Sequence, residues 1–294
     1  MKHAFARAYA KINLALDVIS RREDGYHDLE MVMQSVSLFD TVSVRVGSGS
    51  GIKMISNVRH IPNDDRNIAV KACKAFFADT GISRKVNIAI EKRIPSSAGL
   101  AGGSADGAAV LLLLDRLCGT NLTEERLSEI GLSVGADIPF CLTGGTASAR
   151  GRGEILSPAG AMPDCTIVIA KPRRGMSTRV VFEKIDNEII EKRPDTEALF
   201  AALREKDIRR ISDNVYNVFE PVVASEIGEI SDIKKVMLGC GALCSAMTGS
   251  GSAVFGIYDD KNKAESTRRW LAEKYDSVYT AKPVGHGVEF FGNI

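Results

Sequence analysis

The 294-residue chain carries 38 basic and 37 acidic residues, a formal net charge of +1, with 45% hydrophobic and 26% charged residues. That balance is of a globular chain long enough for two domains, and it excludes a nucleic-acid or membrane surface built on excess positive charge. No apolar run approaches the roughly 18 residues of a membrane span, and the six cysteines, scattered without a CxxC pair or a zinc spacing, read as reduced thiols in the cytoplasm.

In chain order, the first ninety residues read mostly as strands. Lys11, Asn13 and Asp17 interrupt the N-terminal apolar stretch, so it lacks a signal-peptide core. INLALDVIS alternates, RREDGYH turns at Asp24-Gly25, and LEMVMQSVS and TVSVRV follow, with GSGSG at 47–51 as a hairpin tip. NIAVKACKAFFADTG has helical periodicity and stops at Gly81. KVNIAIEKR reads as a strand that runs into the glycine-rich segment Pro95–Gly107, followed by the apolar helix AAVLLLLDRL. Thr123, Glu125 and Leu127 open another helix ending near Gly135, and GADIPFCLTGGTASARGRGEIL reads as a turn of helix and a hairpin. Residues 157–165, rich in Pro and Gly, mark a boundary between a domain over 1–157 and one over 158–294. Beyond it come strand TIVIAKP, several helices to about Gly239, strand ALCSAMT, the Gly249-Ser250-Gly251 turn, strand AVFGIYD, helix KNKAESTRRWLAEKY and strand SVYTAKPV. This order is that of a split-βαβ, ferredoxin-like unit.

The segment around Gly99, Gly102 and Gly103 carries the clearest chemistry. Glycine lets backbone approach a ligand closely, Ser104 stands where a helix N-cap belongs, and the buried helix behind it presents unpaired amides and the positive end of its dipole. A phosphate is the expected occupant. The pattern is neither a Walker A loop, which needs a Lys-Ser/Thr pair, nor the dinucleotide fingerprint. Asp106 would repel a phosphate, so it must point away or share a cation with it.

Lys11 and Asn13 share one side of the first strand by its period of two, with Ala15 and Asp17 continuing that face. The alternatives are a solvated face or a lysine steadying a phosphoryl group. Asp137 either caps a short helix or acts as a general base. Tyr26 and His27 are either loop surface or a nucleobase platform. The Gly249-Ser250-Gly251 turn is either a plain hairpin or a second approach to phosphate.

AKINLALDVISRREDGYHDL, PSSAGLAGGSADGAA, GADIPFCLTGGTASARGRGE and GALCSAMTGSGSAVFGI, in this order, resemble the GHMP kinases over nearly the whole chain. Ala10-Lys-Ile-Asn13 with Arg22-x-Asp-Gly-Tyr-His27 resembles the branch acting on a cytidine-bearing alcohol. The resemblance implies an α+β fold with a ribosomal-protein-S5-like N-terminal domain and a ferredoxin-like C-terminal domain. It implies MgATP and a small-molecule alcohol as reactants, with neither nucleic acid nor membrane as partner, and leaves the oligomeric state open. Lys11 and Asp137 would be the catalytic pair. The ATP phosphate loop would comprise Pro95, Ser96, Ser97, Ala98, Gly99, Leu100, Ala101, Gly102, Gly103, Ser104 and Ala105. Tyr26 and Phe182 would sandwich the cytosine, His27 would read its edge, and Asn13 would hold the substrate near the phosphoryl path. No protein metal ligand is implied. The family loop usually reads Gly-Gly-Ser-Ser, and Ala105 replaces the second Ser. Kinases of the same superfamily acting on homoserine or mevalonate, a related decarboxylase, and a non-catalytic nucleotide binder are the rival readings.

Overall fold

The computed structural model describes residues 2–292. In chain order it contains β1 (Lys2–Arg21), β2 (His27–Gly47), β3 (Gly51–Ser56), α1 (Ile68–Thr80), β4 (Lys85–Glu91), α2 (Gly102–Cys118), α3 (Glu124–Leu132), α4 (Ile138–Thr143), β5 (Thr146–Gly151) and β6 (Ile155–Pro158). After the linker follow β7 (Thr166–Lys171), α5 (Thr178–Ile185), α6 (Thr196–Glu205), α7 (Ile208–Asp213), β8 (Tyr216–Asn217), α8 (Glu220–Glu226), α9 (Glu229–Gly239), β9 (Cys244–Met247), β10 (Val254–Tyr258), α10 (Lys261–Ala272), β11 (Ser277–Ala281) and β12 (Val288–Phe291). The fold is α+β. Among the described residues, no helix is long and apolar enough to cross a membrane.

Two sheets organise the molecule. The first runs β12-β1-β2-β4-β3, with β5 on the first half of β2, β6 on β5, and β8 beside β1. The second runs β11-β7-β10-β9, all antiparallel, which is the split-βαβ order expected from the sequence. The linker 159–165 separates their main strands, but β8 and β12 return to the first sheet. Helices α1 and α2 cover one face of that sheet, burying Phe76, Leu111, Leu113 and Leu114 against Ala4, Ala6, Val42 and Val44. Across its other region Ile12, Leu14, Val32 and Val36 share a core with Ile167, Ile169, Phe255 and Ile257 of the second sheet.

Three local expectations change. GSGSG is not a hairpin tip, because β2 pairs with β4 and β3 runs parallel to β4 on its outer side. Burial decides this: Val86, Ile88 and Ile90 of β4 are buried, whereas β3 buries only Met54, so the more apolar strand takes the interior slot. The face of β1 also does not continue from Lys11 to Asp17. Asn13 pairs with Met33 but Ala15 pairs with Val32, and this bulge at Leu14 turns Ala15 and Asp17 to the opposite side. Ser104 is not the N-cap of α2. The helix begins at Gly102 behind Ala101, which adopts the left-handed conformation (φ 56°) and makes no side-chain capping bond.

Candidate active site

The glycine-rich loop lies between β4 and α2. Its turns use the left-handed conformation at Ser97, Gly99 and Ala101. Gly99 is fixed by contact as well as by φ: a Cβ there would stand 2.0 Å from the Thr248 carbonyl oxygen. The loop is thus pressed against the β9–β10 turn, and a Cβ on Gly249 would in turn meet Gly99 O at 2.9 Å. Leu100 O accepts the Lys11 backbone N–H (3.1 Å), and Ala98 O accepts that of Ala253 (3.2 Å). The Gly249-Ser250-Gly251 segment is therefore a hairpin turn that backs the loop. Gly102 has no left-handed φ. A Cβ there would meet Ile94 Cγ2 at 2.9 Å, so its constraint is packing. The first-turn amides of the 17-residue α2 have no intrahelical acceptors and no side-chain cap, and Leu111, Leu113 and Leu114 hold the helix rigidly. This is an anion-binding geometry.

Asp106 falls in the second turn, and the cation it meets is one it shares with Asp40. The Lys92 ammonium lies 2.6 Å from Asp106 and also pairs with Asp40, with all three side chains buried. Asp40 Oδ1 additionally accepts the backbone N–H groups of Arg93 (2.5 Å) and Ile94 (2.8 Å), tying the loop's entry to the sheet. Burial pushes the Asp106 carboxyl up to about 8, with Lys92 opposing that shift and Asp40 adding to it. Sequence reasoning missed Asp40 and Lys92. Asp40, midway along β2, and Lys92, just beyond β4, carry no local sign that they will meet.

Lys11 is buried, and its ammonium donates to Asn13 Oδ1 at 2.7 Å, as their shared strand face predicts. Asp137 precedes α4, half-buried, and makes no side-chain capping bond, so helix capping does not account for it. Among the described residues Lys11 and Asp137 form no ion pair within 4.0 Å. The charges of both act on the Cys141 thiol, which burial pushes strongly up, with Asp137 adding to the shift and Lys11 opposing it. Cys141, one turn into α4, was not singled out from the sequence. A lone cysteine in an apolar run gives no signal.

At the far end of β1, the turn closes through Arg22 N–H to Tyr26 O (2.8 Å) and Tyr26 N–H to Asp24 Oδ1 (3.0 Å). His27 is buried rather than exposed. Its ring stacks on Phe182 with centroids 4.6 Å apart, and its Nε2 lies 2.6 Å from Asp186 Oδ1. Phe182 meets Phe219 edge-on at 4.9 Å. Helix α5, which carries Phe182, is pinned to the hairpin turn by the Thr178–Ser250 hydroxyl contact of 2.8 Å. Tyr26 joins neither ring. It is 58% exposed, with the Arg152 guanidinium 5.1 Å from its centroid.

Comparison with known proteins fits this layout. The family described as GHMP kinases N terminal domain matches residues 67–145, and the one described as GHMP kinases C terminal matches residues 199–277. A Clostridium acetobutylicum protein named 4-diphosphocytidyl-2-C-methyl-D-erythritol kinase is 41% identical over 95% of this chain and 99% of its own. The chain belongs to the GHMP kinases. A Caldicellulosiruptor bescii protein of the same name is 45% identical to this GHMP kinase over 88% of the chain and 90% of its own length. A crystal structure of 4-(cytidine 5'-diphospho)-2C-methyl-D-erythritol kinase superposes with a TM-score of 0.82 at 32% identity, covering 96% of this chain and 99% of that one. Homoserine kinase from Cytophaga hutchinsonii, at TM-score 0.79 but 18% identity over 99% of this chain and 98% of its own, shares the GHMP kinase fold alone.

Proposed function

We propose that this GHMP kinase transfers a phosphoryl group from ATP to the C2 hydroxyl of 4-diphosphocytidyl-2-C-methyl-D-erythritol, in the cytoplasm, as a step of the non-mevalonate route to isoprenoids. The observation that carries the reading is identity of 41% across 95% of the chain with a protein of that name. The two ends of the site supply its physical support. The uncapped N-terminus of α2 and the backbone at Gly99 suit the nucleotide's phosphates. His27, Phe182 and the exposed Tyr26 suit a pyrimidine. ATP supplies the phosphoryl group, and Mg²⁺ bound with it would neutralise charge on the phosphates during transfer.

A tertiary alcohol is a hindered nucleophile of high pKa, so position, charge and a proton acceptor matter most. Asp137, free of any capping bond, accepts the hydroxyl proton as the new P–O bond forms. Lys11, oriented by Asn13, offsets charge on the transferring group. Asn13 also holds the alcohol near that path. The aromatic end fixes the cytidine, in this reading with Tyr26 closing over the base against Phe182 and His27 at its edge. Ser104 stays within the first turn, so Ala105 in place of the usual serine leaves the α2 amides intact.

The test is phosphotransfer from ATP to four acceptors: the cytidine compound, methylerythritol phosphate, mevalonate and homoserine. Turnover confined to the first is expected. Equal or better turnover of homoserine or mevalonate would assign the chain to another branch of the family.

A further inference from the structure

Thr248, fully buried just beyond β9, touches both halves of the reaction machinery. On the side of β1 turned away from β2, successive backbone N–H groups find partners outside the ladder: Tyr9 donates to Gly287 O, Lys11 to Leu100 O, and Asn13 to the Thr248 hydroxyl oxygen at 3.0 Å. A buried amide left without an acceptor would be costly, so this side chain anchors β1 at Asn13. The same hydroxyl lies 3.4 Å from Asn13 Oδ1, the atom that receives the Lys11 ammonium, and 3.4 Å from Gly99 O in the glycine-rich loop.

Thr248 is itself braced from behind. Asn217, in β8, donates through Nδ2 to Met247 O and Gly249 O, both at 2.8 Å, and accepts the Phe219 N–H at 3.0 Å. The Thr248 N–H donates to Ala253 O at 3.0 Å. The close approach of its carbonyl to Gly99 leaves no room for the turn and loop to move together. A rigid turn of the second half therefore presents one hydroxyl to the strand of Lys11 and to the phosphate loop at once.

We propose that Thr248 is a positioning residue for phosphoryl transfer: its hydroxyl anchors β1 at Asn13 and so holds Asn13 and the Lys11 ammonium in register with the Gly99 turn. The proposal rests on the reading of Lys11 as the cation at the phosphoryl path. Thr248 touches neither reactant, and its effect passes through Asn13.

Thr248→Val keeps the shape and removes the hydroxyl, whereas Thr248→Ser keeps the hydroxyl. The valine variant should lose about tenfold in kcat, on the scale of one buried hydrogen bond. KM for the cytidine substrate should change less than about twofold, and the serine variant should stay within about twofold of the parent in kcat. Should the valine chain not fold, Thr248→Cys, a poor acceptor of serine's shape, is read the same way. In a Lys11→Gln background, followed by single-turnover transfer of labelled phosphate, the same substitution should cost less than about threefold. Parent-like kcat in a folded valine variant, no rescue by serine, or an undiminished loss in the Lys11→Gln background would each overturn the proposal. If Lys11→Gln alone keeps full turnover, it is the reading of Lys11 that fails.

Discussion

At the loop end of the cleft, one unbroken run from Pro95 to Ala105 supplies the geometry, and its backbone is locked against Thr248 and Gly249. At the aromatic end, His27 meets Asp186 across 159 residues of sequence, and the Tyr26 side chain stands apart in solvent. The first site is preformed because its recognition elements are main-chain groups with few conformational alternatives. The second is half formed, with one wall packed and one free to move. On the proposed reading, rigid backbone would face the invariant phosphates, and an adjustable side chain the part of the substrate that sets specificity.

The largest effect is expected between these ends. Asp137→Asn keeps size and a hydrogen-bonding oxygen but cannot take a proton. It should lower kcat by about two to four powers of ten, or roughly 3–5 kcal/mol of barrier, with little change in substrate Kd. Near-normal kcat would return the residue to a purely local role at the start of α4.

Next in size is a break at the rigid end. Gly99→Ala places a methyl on the Thr248 carbonyl oxygen at a φ of +75°. It should cost about 2–4 kcal/mol of stability and abolish tight ATP binding. Gly102→Val, whose Cβ comes nearest the Ile94 and Lys92 side chains rather than backbone, should weaken ATP binding with a smaller loss of melting temperature. Calorimetry and nucleotide titration on both variants check this order.

The half-formed end should respond in two distinct ways. Tyr26→Ala and Phe182→Ala should each raise KM for the cytidine substrate about five- to a hundredfold, on the scale of base–aromatic stacking, leaving KM for ATP unchanged. Only Phe182→Ala should also lower the melting temperature, since that ring packs on His27 and Phe219 whereas Tyr26 is exposed. A loss confined to ATP would move the aromatics to the adenine side.

The smallest effect concerns pH. An acid whose folded pKa lies above its unfolded one binds more protons when folded. The contribution of Asp106 to stability is thus full below its ordinary 3.8 and declines as pH rises towards about 8. Asp106→Asn keeps an acceptor for Lys92 without the titration. Its stability relative to the parent should therefore improve steadily as pH rises from 5 to 8. A difference that does not vary with pH would mean that Asp106 stays ionised throughout.

Elements governed by short-range rules were readable in the sequence. Gly81 does end α1, Thr123 does cap α3 through Arg126 N–H, and the second sheet has the strand order that its element sequence implied. What escaped depended on competition between distant segments. Nothing in GSGSG says that β4 will take the place beside β2, because that outcome turns on the relative burial of two strands. The bulge at Leu14, which parts Asp17 from the face of Lys11, is set by how β1 registers against Met33 and Val32 of β2. The ion cluster of Asp40, Lys92 and Asp106 and the stack of His27 on Phe182 were invisible for the same reason.

The return of β12 to β1 also bears on the order in which the molecule can be made. Residues 5–8 pair on one side with β2, available early in synthesis, and on the other with residues 288–291. Until those last residues leave the ribosome, this stretch of β1 presents an open edge of unpaired backbone groups, a template for wrong partners. The first sheet thus cannot be completed as its half of the chain emerges, and its closure is a long-range event of the slow kind. A nascent chain stalled before β12 should display the strand that carries Lys11 with an unprotected flank, and the finished chain should not.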